Sequence, residues 1–242
     1  MVGNFSGRRR SSTKTTRRVK TGAAMPVAIV KPTRRRSTTR ATKPELKTYD
    51  IVVSSYPANT TPSITSIFNP PRGTDYNERN GRVAHPTLLE LRGRVFLNQA
   101  DNPALLTGAS AAQEVRLLVL WDKECNGALP TITQILATAD PASPFNLDNR
   151  ARFQVLVDRT WYLGPAAFDD TATQTYIHWS NPGFRFSIKK KLAKSVIFNA
   201  STTGTITDIE TNSIIMVWLG TRGGVQVSSE AEVSTRIRYT DV

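Results

Sequence analysis

The side chains with the most chemical potential in this 242-residue chain are arginines gathered near its start. Arg8, Arg9 and Arg10, then Arg17 and Arg18 with Lys20, then Arg34, Arg35 and Arg36 with Arg40, form clusters separated by Ser and Thr. Guanidinium forks match the oxygens of phosphate, so Arg-rich clusters point to phosphodiester contact more than to simple solvation. Of the 32 Lys/Arg and 19 Asp/Glu, 14 and one fall in residues 1–47, which leaves 18 basic and 18 acidic residues for 48–242. The excess of +13 therefore sits wholly in the N-terminal arm, and its natural partner is a polyanion, either nucleic acid or an acidic membrane surface.

Further along, Lys189, Lys190 and Lys191 follow a strand-like run. Consecutive strand residues point to alternate faces, so at least one of the three must point away from the others. They read either as a phosphate or receptor contact or as a solvated turn, and Arg236 and Arg238 admit the same readings. Residues for catalysis are scarce. The two histidines, His85 before Pro86 and His178 beside Trp179, read as packing or surface residues, and Cys125 next to Asn126-Gly127 reads as a loop residue. A single cysteine excludes an intramolecular disulfide framework and fits a reducing compartment. Gly220-Thr221-Arg222-Gly223-Gly224 lacks the spacing of a phosphate-cradling loop and reads as a turn after a strand. Asp169-Asp170 could join other oxygen ligands around Ca²⁺, but reads first as a polar loop. No enzyme activity, cofactor or metal is expected.

The elements that must position the charges are strands. Tyr49, Ile51 and Val53 alternate with polar neighbours; Leu89, Leu91 and Val95 do so across 88–97, with Gly93 on the same face. Residues 115–121 and 214–219 are nearly continuous apolar runs, as expected of strands covered on both faces. Phe153, Val155 and Val157 stand in phase across 153–163; Phe184, Phe186 and Ile188 alternate with Arg185, Ser187 and Lys189. Residues 195–199 form a further strand, and Val233, Thr235, Ile237 and Tyr239 face away from Ser234, Arg236 and Arg238 in the last. One short helix is expected over 131–137, introduced by Pro130. Eight antiparallel strands with long connections predict an all-β jelly-roll sandwich over 48–242. Residues 1–47 lack the apolar content to offset the entropy of ordering and are expected to be disordered alone. The apolar stretch 23–30 is too short to span a bilayer and is interrupted by Pro26, so no membrane insertion is expected; neither a secretory signal nor a transit peptide fits the arm.

Four segments carry a resemblance. The run from Gly73 through Tyr76, Arg79 and Arg82 leads to a strand with the pair Arg92-Gly93. Trp121-Asp122-Lys123 is followed by Asn126-Gly127 and Pro130-Thr131. Next come Asn149-Arg150-Ala151-Arg152-Phe153 and the strand through Arg159, and finally Arg236-Ile237-Arg238-Tyr239-Thr240-Asp241. In that order, over more than half the chain, they resemble the capsid proteins of small circular single-stranded DNA viruses of the circovirus and geminivirus type. The chain departs from that family in lacking a Cys/His cluster beside the arm and in carrying Trp121 where Tyr is frequent. The resemblance implies a homo-oligomeric icosahedral shell, of sixty copies in the smallest members, that packages single-stranded DNA. It also implies a virion protein that reaches the host nucleus through import receptors, for which Arg8–Arg10 and Arg34–Arg36 look like basic address motifs.

Composition alone does not separate DNA from RNA, so a coat protein of a small single-stranded RNA or satellite virus shares every feature of the arm and sandwich. A cellular nucleic-acid-binding sandwich remains a further alternative, disfavoured because no aromatic-basic stacking surface is legible. An enzyme or lectin on the same fold is disfavoured by the absence of paired His or clustered carboxylates.

Overall fold

The structure, a computed structural model, describes residues 45–97, 113–164, 183–221 and 229–241. The chain forms β1 (Leu46–Ala58), β2 (Ser63–Ser66), β3 (Val83–Leu97), β4 (Gln113–Asp122), α1 (Ile132–Ile135), β5 (Phe153–Leu163), β6 (Phe184–Lys191), β7 (Val196–Phe198), β8 (Ile209–Thr211), β9 (Ser213–Gly220) and β10 (Ser229–Asp241). One sheet runs β1-β10-β3-β7-β8, with β6 also on β3; the other runs β2-β9-β4-β5, and all pairs are antiparallel. β6 pairs with residues 88–95 of β3 and β7 with Val83 and Ala84, so the two occupy one position as a broken strand.

The chain switches sheets after β1, β2, β3 and β5, and again on either side of β9. With β6 and β7 in one position and β8 as an added edge, this is the double Greek-key winding of a jelly roll. The expected class is observed, with ten strands in place of eight. The two additional strands, β2 and β8, are only four and three residues long.

Alternation fixes the packing. Leu89, Leu91 and Val95 of β3, Val233, Ile237 and Tyr239 of β10, and Phe186 and Ile188 of β6 turn inward onto Leu117, Val119, Trp121, Met216 and Trp218. Residues 115–121, Arg116 apart, and 214–219 are apolar because both faces of β4 and β9 are covered. Leu118, Leu120, Ile215, Val217 and Leu219 point away from the sandwich and pack under Ile135 and Leu136. Burying a Leu or Ile side chain is worth about 1.5–3 kcal/mol, so this second layer is a substantial part of the stability. Arg116 of β4 clamps it: Nε and Nη2 donate to Asp158 at 2.8 and 2.7 Å, while Nη1 donates to the carbonyls of Pro141 and Ser143 at 2.9 and 2.6 Å.

Two bulges shift the phase expected from sequence. Tyr49 and Ile51 pack on the core, but the β1 register shifts between Ile51 and Ser54, which leaves Val52 and Val53 at 79% and 63% exposure and returns Tyr56 and Ala58 inward. Val53 therefore does not continue the face of Ile51. In β5, a shift opposite Val119 and Leu120 sends Phe153 to the outer layer and Val157 to the inner core, with Val155 exposed between them. The expected helix over 131–137 shortens to α1, because Ala137 N–H turns away to the carbonyl of Pro144. β1 begins at Leu46, so Lys47, assigned to the arm by charge, is a buried strand residue.

Candidate nucleic-acid interface

The two sheets offer very different outer faces. That of β4 and β9 is closed by the chain's own 132–145 segment. Among the described residues nothing packs over the outer face of the β1-β10-β3-β6 sheet, and it carries the charges that alternate with the core residues.

Register sets these charges in rows. Arg94 stands between Arg185 and Glu232, and Arg92 between Ser187 and Ser234. Glu90 stands between Lys189 and Arg236, and Leu88 between Lys191 and Arg238. Two bidentate pairs cross the strands. Arg94 donates to Glu232 at 2.7 and 3.1 Å, and Arg236 donates to Asp50 at 2.8 and 2.7 Å. The hydrogen bond from Arg94 holds the Glu232 carboxyl below the usual carboxylate range. The hydrogen bonds that Arg236 donates to the Asp50 carboxylate raise the pKa of its guanidinium.

The third carboxylate is shared. Glu90, with its side chain 10% exposed, has Arg238 at 3.2 Å, Arg92 at 3.8 Å and Lys189 at 4.0 Å. One anion is thus set against three cations. The β1 bulge opens a hollow of about 380 Å³ beside this cluster, lined by Asp50, Val52, Glu90, Arg92 and Arg236 among others.

Lys189 and Lys191 belong to this face, opposite Glu90 and Leu88. Lys190 is in register with Leu89, whose side chain is in the core, so it points to the other side of the sheet from Lys189 and Lys191. Arg8, Arg9, Arg10, Arg17, Arg18, Lys20, Arg34, Arg35, Arg36 and Arg40 lie outside the described residues, as do His178, Asp169 and Asp170. Arg92, Arg94 and Arg185 were legible as the polar partners of Leu91, Val95 and Phe186. Their convergence was not, because it depends on β3 lying between β6 and β10.

The remaining reactive groups are structural in their surroundings. His85 Nδ1 and the Ser195 hydroxyl are 2.6 Å apart and tie the approach to β7 onto β3. Cys125 is buried in a turn. Among the described residues, no three His, Cys, Asp or Glu side chains are placed to hold a metal, and no helix is long and apolar enough to cross a membrane. The segment beginning at Gly73 proves to be a clasp. Arg79 is fully buried, donates to the carbonyls of Gly81 and Ser201 at 2.9 and 2.6 Å, and lies over the Phe198 ring.

The fold and face together define a jelly-roll protein with one sealed and one cationic outer surface. No established family's sequence profile matches the chain, and no curated protein matches it either. A solved structure from desmodium yellow mottle tymovirus aligns with 98% of this chain and 96% of its own, at 10% sequence identity and a TM-score of 0.31.

Proposed function

We propose that this chain is a viral coat protein that assembles into a small closed shell and holds single-stranded nucleic acid through its basic arm. The observation that carries this reading is the segregation of charge: 14 Lys/Arg and one acid precede a jelly roll whose own charges balance. A neutral block can be packed edge to edge in many copies without mutual repulsion, while the arm supplies the counter-charge to phosphate. With the sixty copies that the family resemblance implies, the excess of +13 per chain gives on the order of 800 positive charges, each matching about one phosphate. The cargo is then short. It is single-stranded, because a duplex with a persistence length of about 50 nm resists so tight an enclosure. The resemblance favours DNA over RNA.

Negative-stain imaging of the purified full chain tests this reading. Uniform closed particles holding nuclease-protected nucleic acid are expected, with DNase or RNase sensitivity after disruption identifying the cargo. A monomer that carries no nucleic acid at moderate salt overturns it.

The clusters Arg8–Arg10 and Arg34–Arg36 also serve, in this reading, as an address for host nuclear import receptors. Residues 1–47 fused to a reporter concentrate it in the nucleus of a eukaryotic cell. An evenly spread reporter removes this role and leaves packaging intact.

A further inference from the structure

The charges on the open face are divided unevenly between its halves. The β10 and β1 side carries Arg236 and Arg238 together with Asp50, which stands opposite Arg236, and Glu232. On the β3 and β6 side, Arg92, Arg94, Arg185, Lys189 and Lys191 accompany a single carboxylate, Glu90. Glu232 reaches across and pairs with Arg94, while Arg238 reaches across to Glu90, so the cations left in surplus lie around Glu90 and along β6. The other acid of this face, Glu230, lies a row further on, bonded to Ser55.

Arg94 and Arg185 are in direct register, and like charges so placed destabilise a strand pair. A body with balanced total charge has therefore concentrated a surplus of cations along two strands. Arg92 and Lys189 are 69% and 60% exposed at their side chains, so their charge reaches solvent. Same-face residues recur about every 6.8 Å along a strand, a spacing that suits successive phosphates of an extended single strand.

We infer that the outer face of β3 and β6, where Arg92 and Lys189 flank Glu90 and Arg94, Arg185 and Lys191 stand in the neighbouring rows, is a second phosphate-binding surface for single-stranded nucleic acid. This rests on the coat-protein reading, and it assigns the body a share of a task that charge counting gives wholly to the arm. Contact is through the backbone and independent of base sequence, since cationic side chains, and no free aromatic platform, make up the track. Glu90 holds Arg92, Lys189 and Arg238 in place before the phosphates arrive. The hollow at the β1 bulge gives Arg92 open space on one side.

The test measures affinity of the full chain for oligothymidylate against salt. Each phosphate contact contributes about −0.7 to the slope of log K against log salt for a single strand. The face variant, Arg92→Gln, Arg185→Gln, Lys189→Gln and Lys191→Gln, reduces the magnitude of the slope by about 3. An arm variant, with Arg8–Arg10 and Arg34–Arg36 changed to Gln, reduces it by about 4, and the combined variant by the sum. Lys190→Gln, on the opposite side of the strand, leaves the slope unchanged, and matching thermal unfolding curves show that the variants fold.

A face variant with the parent slope, beside an arm variant whose slope falls, overturns this surface and leaves the coat-protein reading standing. A parent chain that does not bind overturns both. A face variant that keeps its oligothymidylate slope but loses heparin binding reassigns the surface to a sulfated polysaccharide and overturns the nucleic-acid assignment.

Discussion

Lys47 Nζ lies 3.2 Å from the Asp241 carboxylate, with the two side chains only 1% and 9% exposed. The pair joins the first strand after the arm to the last strand of the body. Lys47 also donates to the Glu78 carbonyl at 2.8 Å, as does the Tyr239 hydroxyl at 2.8 Å, and Asp241 accepts the backbone N–H of Asn80 at 2.6 Å. The 73–81 loop is thereby held against the place where the chain enters the sandwich.

Removing one partner of such a pair leaves a buried charge unmatched, which costs about 3–5 kcal/mol. Lys47→Ala is expected to lower the urea midpoint accordingly. The double variant Lys47→Met with Asp241→Leu recovers much of the loss, because it removes both charges together. Equal losses in the single and double variants would contradict the pairing.

Arg116 holds the outer apolar layer by four hydrogen bonds at once. Arg116→Leu is expected to cost about 3 kcal/mol and to admit protease to residues 137–144 while the inner core stays folded. Limited proteolysis with mass spectrometry locates the cut. Cleavage patterns identical to the parent's would show that the layer is held by its apolar contacts alone.

Asp208 gives a pH dependence with a definite sign. Burial opposes its charge, but hydrogen bonds from Thr203, Ser201 and the backbone N–H groups of Gly204 and Thr205 outweigh that and hold the carboxyl below its ordinary value. The unfolded chain then binds the proton more readily than the folded one. The stabilisation is full above the unfolded carboxyl's pKa of about 3.9 and is lost as pH falls through the lower folded value. Asp208→Asn should therefore be less stable than the parent at pH 7, with the gap narrowing toward pH 2. Urea midpoints across that range measure it, and a gap that does not change with pH contradicts the account.

Much of the sandwich could be read from alternation alone. Val233, Thr235, Ile237 and Tyr239 do face the core, and Gly93 sits where a Cβ would collide with the Glu232 backbone. β2 escaped because Ser63-Ile64-Thr65-Ser66 carries a single apolar residue, and β8 because three residues make no period. The bulges in β1 and β5 were invisible for a related reason. Alternation shows which residues share a face only while pairing runs unbroken, and the partner strand sets where it breaks. The cationic face was half legible. Each strand's outward charges follow from its inward apolar residues, but their neighbours come from strands distant in sequence. The alternation of Lys189–Lys191 was therefore expected and register bears it out, whereas the meeting of Arg92 and Arg94 with Arg185 across β3 and β6 was not legible.

The central claim is that charge sets the nucleic-acid load, and its most direct test is the number of packaged nucleotides per subunit in purified particles. Changing Arg8–Arg10 and Arg34–Arg36 to Gln removes six charges per chain, each matched to about one phosphate. The ratio is expected to fall by about six nucleotides per subunit, with particle diameter unchanged if, as proposed, the body supplies the contacts between subunits. Particles of the same diameter with an unchanged ratio would contradict electrostatic packaging and place recognition of the nucleic acid elsewhere in the chain.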